Sequence, residues 1–460
     1  LEFPVFTLDQ FGSGSLIALV AIVHVLISHG AAVGGSIMVV ALETYAMKHK
    51  DLEMDDFAHR LLKYFFVVTT AVGALTGVGI WLTTGVVQPA AIGSMLRVFF
   101  WFWFTEWIVF VSEVVFILLY YFTWPKLTGA KKVLHRNIGI AYAVSSWLTM
   151  TLITGILAFM LTPGAWLSDG SRWDAFFNPT YLPSLAFRTF LALALASGFT
   201  MLYTQITVRK AELRARVLGV ASRVLAGAGV MMFLTGYWYY QSVPGGGRAL
   251  IQWATALSPQ QFDLINYGGI FVVFLFAMVA IFYPMRLAAS GRINRVIGVT
   301  ASLLVMALAV FYVGEIEMVR ESIRKPYVIS GYMYANGIRV SDVERLNTEG
   351  ILPNARFSPI QQVTPGQEIE AGREVFRLEC QSCHVLHNFA RQRRDLAFRL
   401  QGWNETTIYN YVKNLHQARA FMPPFVGTDQ ELRALSKFLA TVPTQGTTAT
   451  AGSPAGGIHE

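Results

Sequence analysis

Residues Trp101–Trp124 read WFWFTEWIVFVSEVVFILLYYFTW. Only Glu106 and Glu113 interrupt an otherwise apolar, aromatic and hydroxylated run. As a helix it rises about 36 Å, enough to cross roughly 30 Å of bilayer hydrocarbon. The aromatic run Trp101–Phe104 at one end and Trp124-Pro125 at the other fit two interfacial belts. The stretch reads as a membrane span. Its two glutamates, seven residues apart, share one helix face. Carboxylates inside a span are costly and mark function by default.

Composition extends that reading to most of the chain, which is 54% hydrophobic and 14% charged with mean hydropathy +0.47. Soluble domains carry about 25% charged residues. Eight apolar runs of spanning length lie near 15–45, 61–87, 98–124, 137–161, 185–207, 217–241, 266–285 and 294–315. Basic residues concentrate in alternate loops, at Lys48, Lys50 and Arg60, at Lys126, Lys131, Lys132 and Arg136, at Arg209–Arg216, and at Arg286–Arg295. The other loops hold Arg97, then Arg172 and Arg188, then Arg248. The positive-inside rule puts both termini outside. Net charge of +8 belongs largely to the inner loops and the tail, and does not argue for nucleic acid. No cleavable leader is evident at Leu1, and a start other than Met suggests a gene that begins upstream.

Beyond the last span the composition turns polar. Residues 325–366 read as a linker or extended segment, 367–443 as a small helical domain, and 444–460, rich in Thr, Gly and Ala, as a disordered tail. Residues Leu378–His384, LECQSCH, hold both cysteines of the chain. C-x-x-C-H is the attachment pattern of a c-type haem: Cys380 and Cys383 form thioethers, and His384 becomes an iron ligand. Covalent haem c is attached outside the cytoplasm, which agrees with the loop charges. Met422, in the proline-stiffened FMPPF segment, resembles the distal ligand of class I cytochrome c domains, with His387 and His416 as rivals. His/Met ligation raises the haem potential. Arg391, Arg393, Arg394 and Arg399 form either a basic rim for an acidic partner or a solvated helix face.

The first span holds His24 and His29, at depths of roughly 12 and 20 Å. About 140° of helix separates them, so they do not face one ligand together. Glu106 and Glu113 match their depths, which suits b-type haem ligation beside a buried proton site. Glu315, Glu317 and Glu321 are expected past the outer end of the last span. His59 and His135, beside Arg60 and Arg136, read as interfacial histidines. Spans five to eight carry almost no ionisable group in the hydrocarbon. A Thr-Gly, an aromatic and a Pro recur in GALTGVGIWLTTGVVQP (73–89) and AGAGVMMFLTGYWYYQSVP (226–244), a hint of two related four-helix units.

Residues 10–330 resemble subunit I of the cytochrome bd quinol oxidases. The likeness rests on His24 in a span ending ALETYAMK (Ala41–Lys48), on Thr76-Gly77, on Glu113 eleven residues before Trp124, and on ESIRKPY (Glu321–Tyr327). The last is similar to the family's E-x-G-R-Q-P-W segment, whose glutamate ligates a haem. The resemblance implies His24 as a haem ligand with His29 as alternative, and Glu321 as a haem ligand with Glu317 as alternative. It makes Glu113 part of a buried acid pair; strict spacing puts the other acid at Thr105, one position from Glu106. Two family features depart. Leu193 in ALALASGF (Ala192–Phe199) stands where a low-spin haem ligand is expected, and only Ser242–Phe262 replace the long quinol-binding loop.

The fold expected is all-α: an eight-span transmembrane bundle of two four-helix units (10–324) plus a small extracytoplasmic cytochrome c domain. The expected function is a respiratory multi-haem membrane cytochrome within a larger oxidoreductase complex, holding one covalent haem c and one or two haems b, one of them a candidate bd-type high-spin haem. The alternatives are a terminal oxidase, reducing oxygen or nitric oxide and fed by cytochrome c, and quinol–cytochrome c electron transfer. A second membrane subunit and an outer-side cytochrome or redox enzyme are the expected partners, with a quinone as a further candidate. The expected location is the bacterial inner membrane, with the N-terminus and the haem c domain on the periplasmic side.

Overall fold

The computed structural model describes residues 3, 4, 6–8, 12–247, 292–386 and 395–450. The seventh apolar run, His387, Arg391, Arg393, Arg394 and the tail from 451 onward lie outside them. Among the described residues, six helical segments are long and apolar enough to cross a membrane: Ser13–His49, Leu52–Val87, Phe100–Thr123, Gly129–Phe159, Arg172–Thr207 and Ala211–Ser242.

The first segment consists of α1 (Ser13–Ile27), a π-helical turn at Ser28–Val33, and α2 (Gly34–His49). The second repeats the pattern, with α3 (Leu52–Val67), a π turn at Val68–Gly73, and α4 (Ala74–Val87). Such turns widen a helix locally and recur at functional sites; here the two pack against each other. Then come α5 (Pro89–Val98), α6 (Phe100–Thr123) and α7 (Lys132–Phe159). After the short helices α8 (Trp166–Asp169) and α9 (Arg172–Phe176) follow α10 (Tyr181–Thr207) and α11 (Ala211–Ser242). The eighth apolar run lies on α12 (Arg292–Ile323), which continues through Glu317 and Glu321. Those two acids are therefore helical residues.

Local rules set the boundaries. Lys50 ends α2 in the left-handed conformation, and Asp51 caps α3 by accepting from Met54 N at 3.1 Å. Arg216 pairs with Asp51 at 3.0 Å and with Glu53 at 3.1 Å, which ties the α2–α3 turn to α11. The bundle core is Met38, Leu42, Phe57, Leu61, Phe65 and Tyr142 with their neighbours. Its closest backbone approach is at Gly34, where a Cβ would stand 2.0 Å from Ala192 O on α10. Gly34→Ala forces those helices apart. We expect it to cost about 3 kcal/mol, the upper end for overpacking, seen as a lowered midpoint of thermal unfolding in detergent.

The chain divides into two compact units. One holds Val20–Gly79 and Leu96–Ile323; the other holds Leu1–Leu19, Ile80–Met95 and Arg324–Glu460. In the second unit, Phe6 N donates to Val86 O at 3.1 Å, and Gln88 Nε2 donates to Ala335 O at 3.2 Å. The segment expected as a linker is folded. Strands β1 (Tyr327–Ile329) and β2 (Met333–Tyr334) pair antiparallel, and α13 (Val343–Glu349) follows. Ile338, Leu346, Ile351 and Leu352 share one core with Val375, Phe376, Leu435 and Phe438.

The tail domain itself is α14 (Glu368–Glu379), α15 (Leu396–Arg399), α16 (Glu405–Lys413), α17 (Leu415–Ala418) and α18 (Asp429–Thr450). The buried Glu431 carboxylate accepts from Ile351 N at 3.0 Å, Leu352 N at 2.8 Å and Thr428 N at 2.8 Å. That acid is what lets a strapping segment with no regular period bury its backbone donors. Helix α18 runs into the stretch expected to be disordered, as far as Thr450.

Candidate functional site

In the tail domain the chain leaves α14 in a tight turn. Cys380 N and Gln381 N both donate to Phe376 O, at 2.8 and 3.0 Å. Cys383 N and His384 N both donate to Cys380 O, at 3.1 and 2.9 Å. Both thiols and the imidazole thus come from one turn. Lys325 Nζ lies 3.9 Å from Cys383 Sγ.

The Met422 loop is braced from two sides. His416 Nδ1 donates to Met422 O at 2.7 Å. The Glu379 carboxylate, on the residue before Cys380, accepts from Val426 N at 3.1 and 3.3 Å. His416, a rival for the sixth position, therefore has one nitrogen committed to the backbone of the residue it would replace. Two thiols, an imidazole and a thioether are a donor set that fits covalent haem with His/Met ligation.

Burial holds the Glu379 carboxyl well above the usual carboxylate range. A carboxyl with a raised folded-state pKa binds its proton longer folded than unfolded. Folding takes up that proton over the window between the two values, so stability falls as pH rises through it. Glu379→Gln keeps an acceptor for Val426 N and removes the ionisation. We expect the variant to flatten that fall and to be the more stable form at pH 8, by about 1.4 kcal/mol for each unit of the shift. Unfolding followed by haem absorbance at pH 5 and pH 8 checks it.

In the bundle, His24 and His29 point to different helices. His24 is half-buried, and its Nδ1 lies 3.1 Å from Thr76 Oγ1. Thr76 Oγ1 itself donates to Val72 O at 2.8 Å or Gly73 O at 3.0 Å. Its hydrogen is committed, so it accepts from His24 Nδ1–H. Nε2 then holds the lone pair, the tautomer a metal needs. A Cβ at Gly77 would come within 3.2 Å of His24 Cε1, so the glycine leaves room for the ring.

His29 is buried and committed on both nitrogens. Ser28 Oγ is 3.1 Å from Nδ1, and Arg188 Nη1 is 3.3 Å from Nε2. Arg188 reaches Glu317 at 4.0 Å, and Arg320 holds Glu317 Oε2 through Nε at 2.9 Å and Nη2 at 2.6 Å. The two alternative ligands, His29 and Glu317, thus belong to one arginine-centred cluster. Arg188 was expected in a loop; it lies inside α10, and this cluster places half-buried ionisable groups on α10 and α12. Glu106 and Glu113 are half-buried on α6, and Glu113 stands beside Ser146 and Thr149 of α7. The side chain of Glu315 lies outside the described residues.

One constellation escaped the sequence reading. Glu43, His135 and Tyr120 are fully buried and mutually hydrogen-bonded between α2, α6 and α7. His135, near the start of α7, is not a solvated helix-end residue: its exposure is 0%. His59 does stack at the helix end, on Trp124 at 5.1 Å. The signal for Glu43 was available, as an acid within the apolar run 15–45.

A membrane helix bundle with a half-buried metal-competent imidazole, carrying a small helical domain built on C-x-x-C-H, is a membrane-bound haem protein. A family model described as cytochrome bd terminal oxidase subunit I matches residues 13–244, about half of the chain. The chain belongs to that family. A second model, cbb3-type cytochrome c oxidase subunit III, matches residues 367–439. Among solved structures, the chain is similar to the bd oxidase from Geobacillus thermodenitrificans. Identity is 17% and the TM-score 0.58, over 71% of this chain and 90% of that one. That likeness concerns the fold. No curated protein sequence matches the chain. The cytochrome c domain implies a covalent haem c, and the bd family implies b-type haem.

Proposed function

We propose that the protein is a multi-haem membrane cytochrome. It passes electrons between an outer-side redox partner, a haem c at Cys380, Cys383, His384 and Met422, and haem b in the first helix bundle. It does so as a subunit of a larger respiratory oxidoreductase. When bound, the haems supply the one-electron carriers. The chain supplies ligands, burial and orientation. The observation that carries the reading is the contact of His24 Nδ1 with the Thr76 hydroxyl, which leaves the Nε2 lone pair available to iron. Glu321 is the candidate second haem ligand near the outer surface. Glu113 and Glu106 are the candidate buried proton site.

Eight spans with both termini outside fit this assignment and place the haem c domain on the periplasmic side of a bacterial inner membrane. In support, the end of the second span (Gln88) and the segment after α12 (Ala335) meet in one compact unit. A second membrane subunit is a further partner in this reading; the apolar side chains exposed on α4 and α6, among them Leu75, Val78, Trp101, Trp107 and Val111, suit either lipid or such a subunit. The shortness of the sequence stretch Ser242–Phe262, before the seventh apolar run, argues against quinol as the principal donor.

A terminal oxidase is the second reading. It is favoured by the commitment of His29 and Glu317 to Arg188, which leaves His24 without a partnering imidazole. Carbon monoxide separates the two readings. The electron-transfer reading expects the reduced spectrum to be unchanged by the gas; a shifted high-spin band would move the assignment to an oxidase.

A further inference from the structure

The buried polar group between α2, α3, α6 and α7 has no part in the reading above. His135 Nε2 lies 2.9 Å from Tyr120 O. A carbonyl only accepts, so Nε2 carries a hydrogen. His135 Nδ1 lies 2.6 Å from Glu43 Oε1. Two bare lone pairs repel at that distance, so one proton lies between them. Either an imidazolium faces a carboxylate, or a neutral imidazole faces a carboxylic acid, and the pair is neutral in both forms. Tyr120 OH donates to Glu43 Oε2 at 2.7 Å. Lys132 Nζ is 3.1 Å from Glu43 Oε1 and 2.9 Å from Asp55 Oδ1, whose other oxygen accepts from Trp124 Nε1 at 3.2 Å. Lys132 and Asp55 cancel in charge. The cluster is neutral with the shared proton and negative without it, and burial penalises the negative state.

Exposure is graded along the cluster. The Asp55 side chain is 27% exposed, that of Lys132 13% and that of Glu43 0%. One end meets water; the other points along α6 and α7. Tyr142, buried, is two turns beyond His135 on α7, and Glu113 is two turns before Tyr120 on α6, about 10 Å in each case. Ser146, beside Glu113 on α7, is buried.

We infer that Glu43 and His135 form a proton store, filled from the Asp55–Lys132 end and drawn on toward Glu113 when an electron arrives in the bundle. The step balances. One electron comes from the outer-side donor. One proton leaves the Glu43–His135 pair, by way of Tyr142 and water, for the Glu113 carboxylate. One proton from water at Asp55 and Lys132 restores the pair. This use of the store rests on the haem reading of the bundle.

The test reduces the purified holoprotein in detergent while a pH-indicator dye follows proton uptake. The wild type is expected to take up about one proton per electron reaching the bundle. Glu43→Gln slows that uptake at least tenfold at unchanged haem content; a mere structural pin would lower thermal stability and leave the rate alone. If Glu43→Gln does not fold, Lys132→Met at the wet end must slow uptake at least threefold by itself. A deuterium-sensitive infrared band from the shared proton is expected in the wild type and absent from Glu43→Gln. Wild-type uptake rates in the variants, or no such band, overturn the store. A chain holding haem c alone would defeat the haem b reading, and the infrared band would still judge the store by itself.

Discussion

Replacing His24 by alanine is expected to empty the bundle of haem b while leaving haem c in place. Thr76 is the reason. Its hydroxyl hydrogen is committed to a backbone carbonyl of its own helix, so the contact with His24 fixes the proton on Nδ1 and the lone pair on Nε2. His29 lacks that freedom, since Arg188 already faces its Nε2. The contrast is the useful part. His24→Ala should lower extractable haem b at least tenfold, whereas His29→Ala should retain it and lose stability instead, because Arg188 and Glu317 are left with a buried vacancy beside them. Thr76→Val should weaken haem binding without abolishing it, as changes in outer-shell partners do, by about 10- to 100-fold. Loss of haem b in His29→Ala with retention in His24→Ala would reverse the assignment. Pyridine haemochrome spectra of the purified variants decide it.

The second large effect belongs to Met422. Its carbonyl is held by His416 and its loop by Glu379, so the side chain is delivered by a braced segment. Thioether ligation raises the potential of a haem relative to two nitrogens. Met422→His exchanges one for the other on the same loop. We expect the haem c potential to fall by about 0.2 V, a quarter of the roughly 0.8 V that axial ligands span. Electron exchange with the outer-side partner should then fail while covalent attachment persists. Potentiometric titration of the haem c band measures it. An unchanged potential would mean that Met422 is an ordinary methionine beside the haem.

Much of this was legible from one chain. Trp101–Trp124 declares itself as a span because a period of any kind is submerged in uninterrupted apolar residues. LECQSCH declares itself because covalent attachment needs a fixed spacing. What stayed hidden depends on pairing between distant segments. His135 sits among Lys131, Lys132 and Arg136, which made an interfacial residue the natural reading. Only the packing of α2 on α7 shows that Glu43 meets it. Arg188 looked like a loop residue because it stands at the very start of the fifth apolar run, whereas α10 begins a turn or two earlier, at Tyr181. Residues 325–366 looked like a linker because Ile338, Leu346, Ile351 and Leu352 keep no period. The place of Ile351 and Leu352 in the core depends on Glu431, some eighty residues on, receiving their backbone donors.

The measurement that bears most directly on the whole account is a haem count per chain on the purified protein, with covalent and extractable haem resolved. The account predicts one covalent haem c together with at least one extractable haem b, both reducible by an outer-side donor. A chain that carries haem c alone would contradict it.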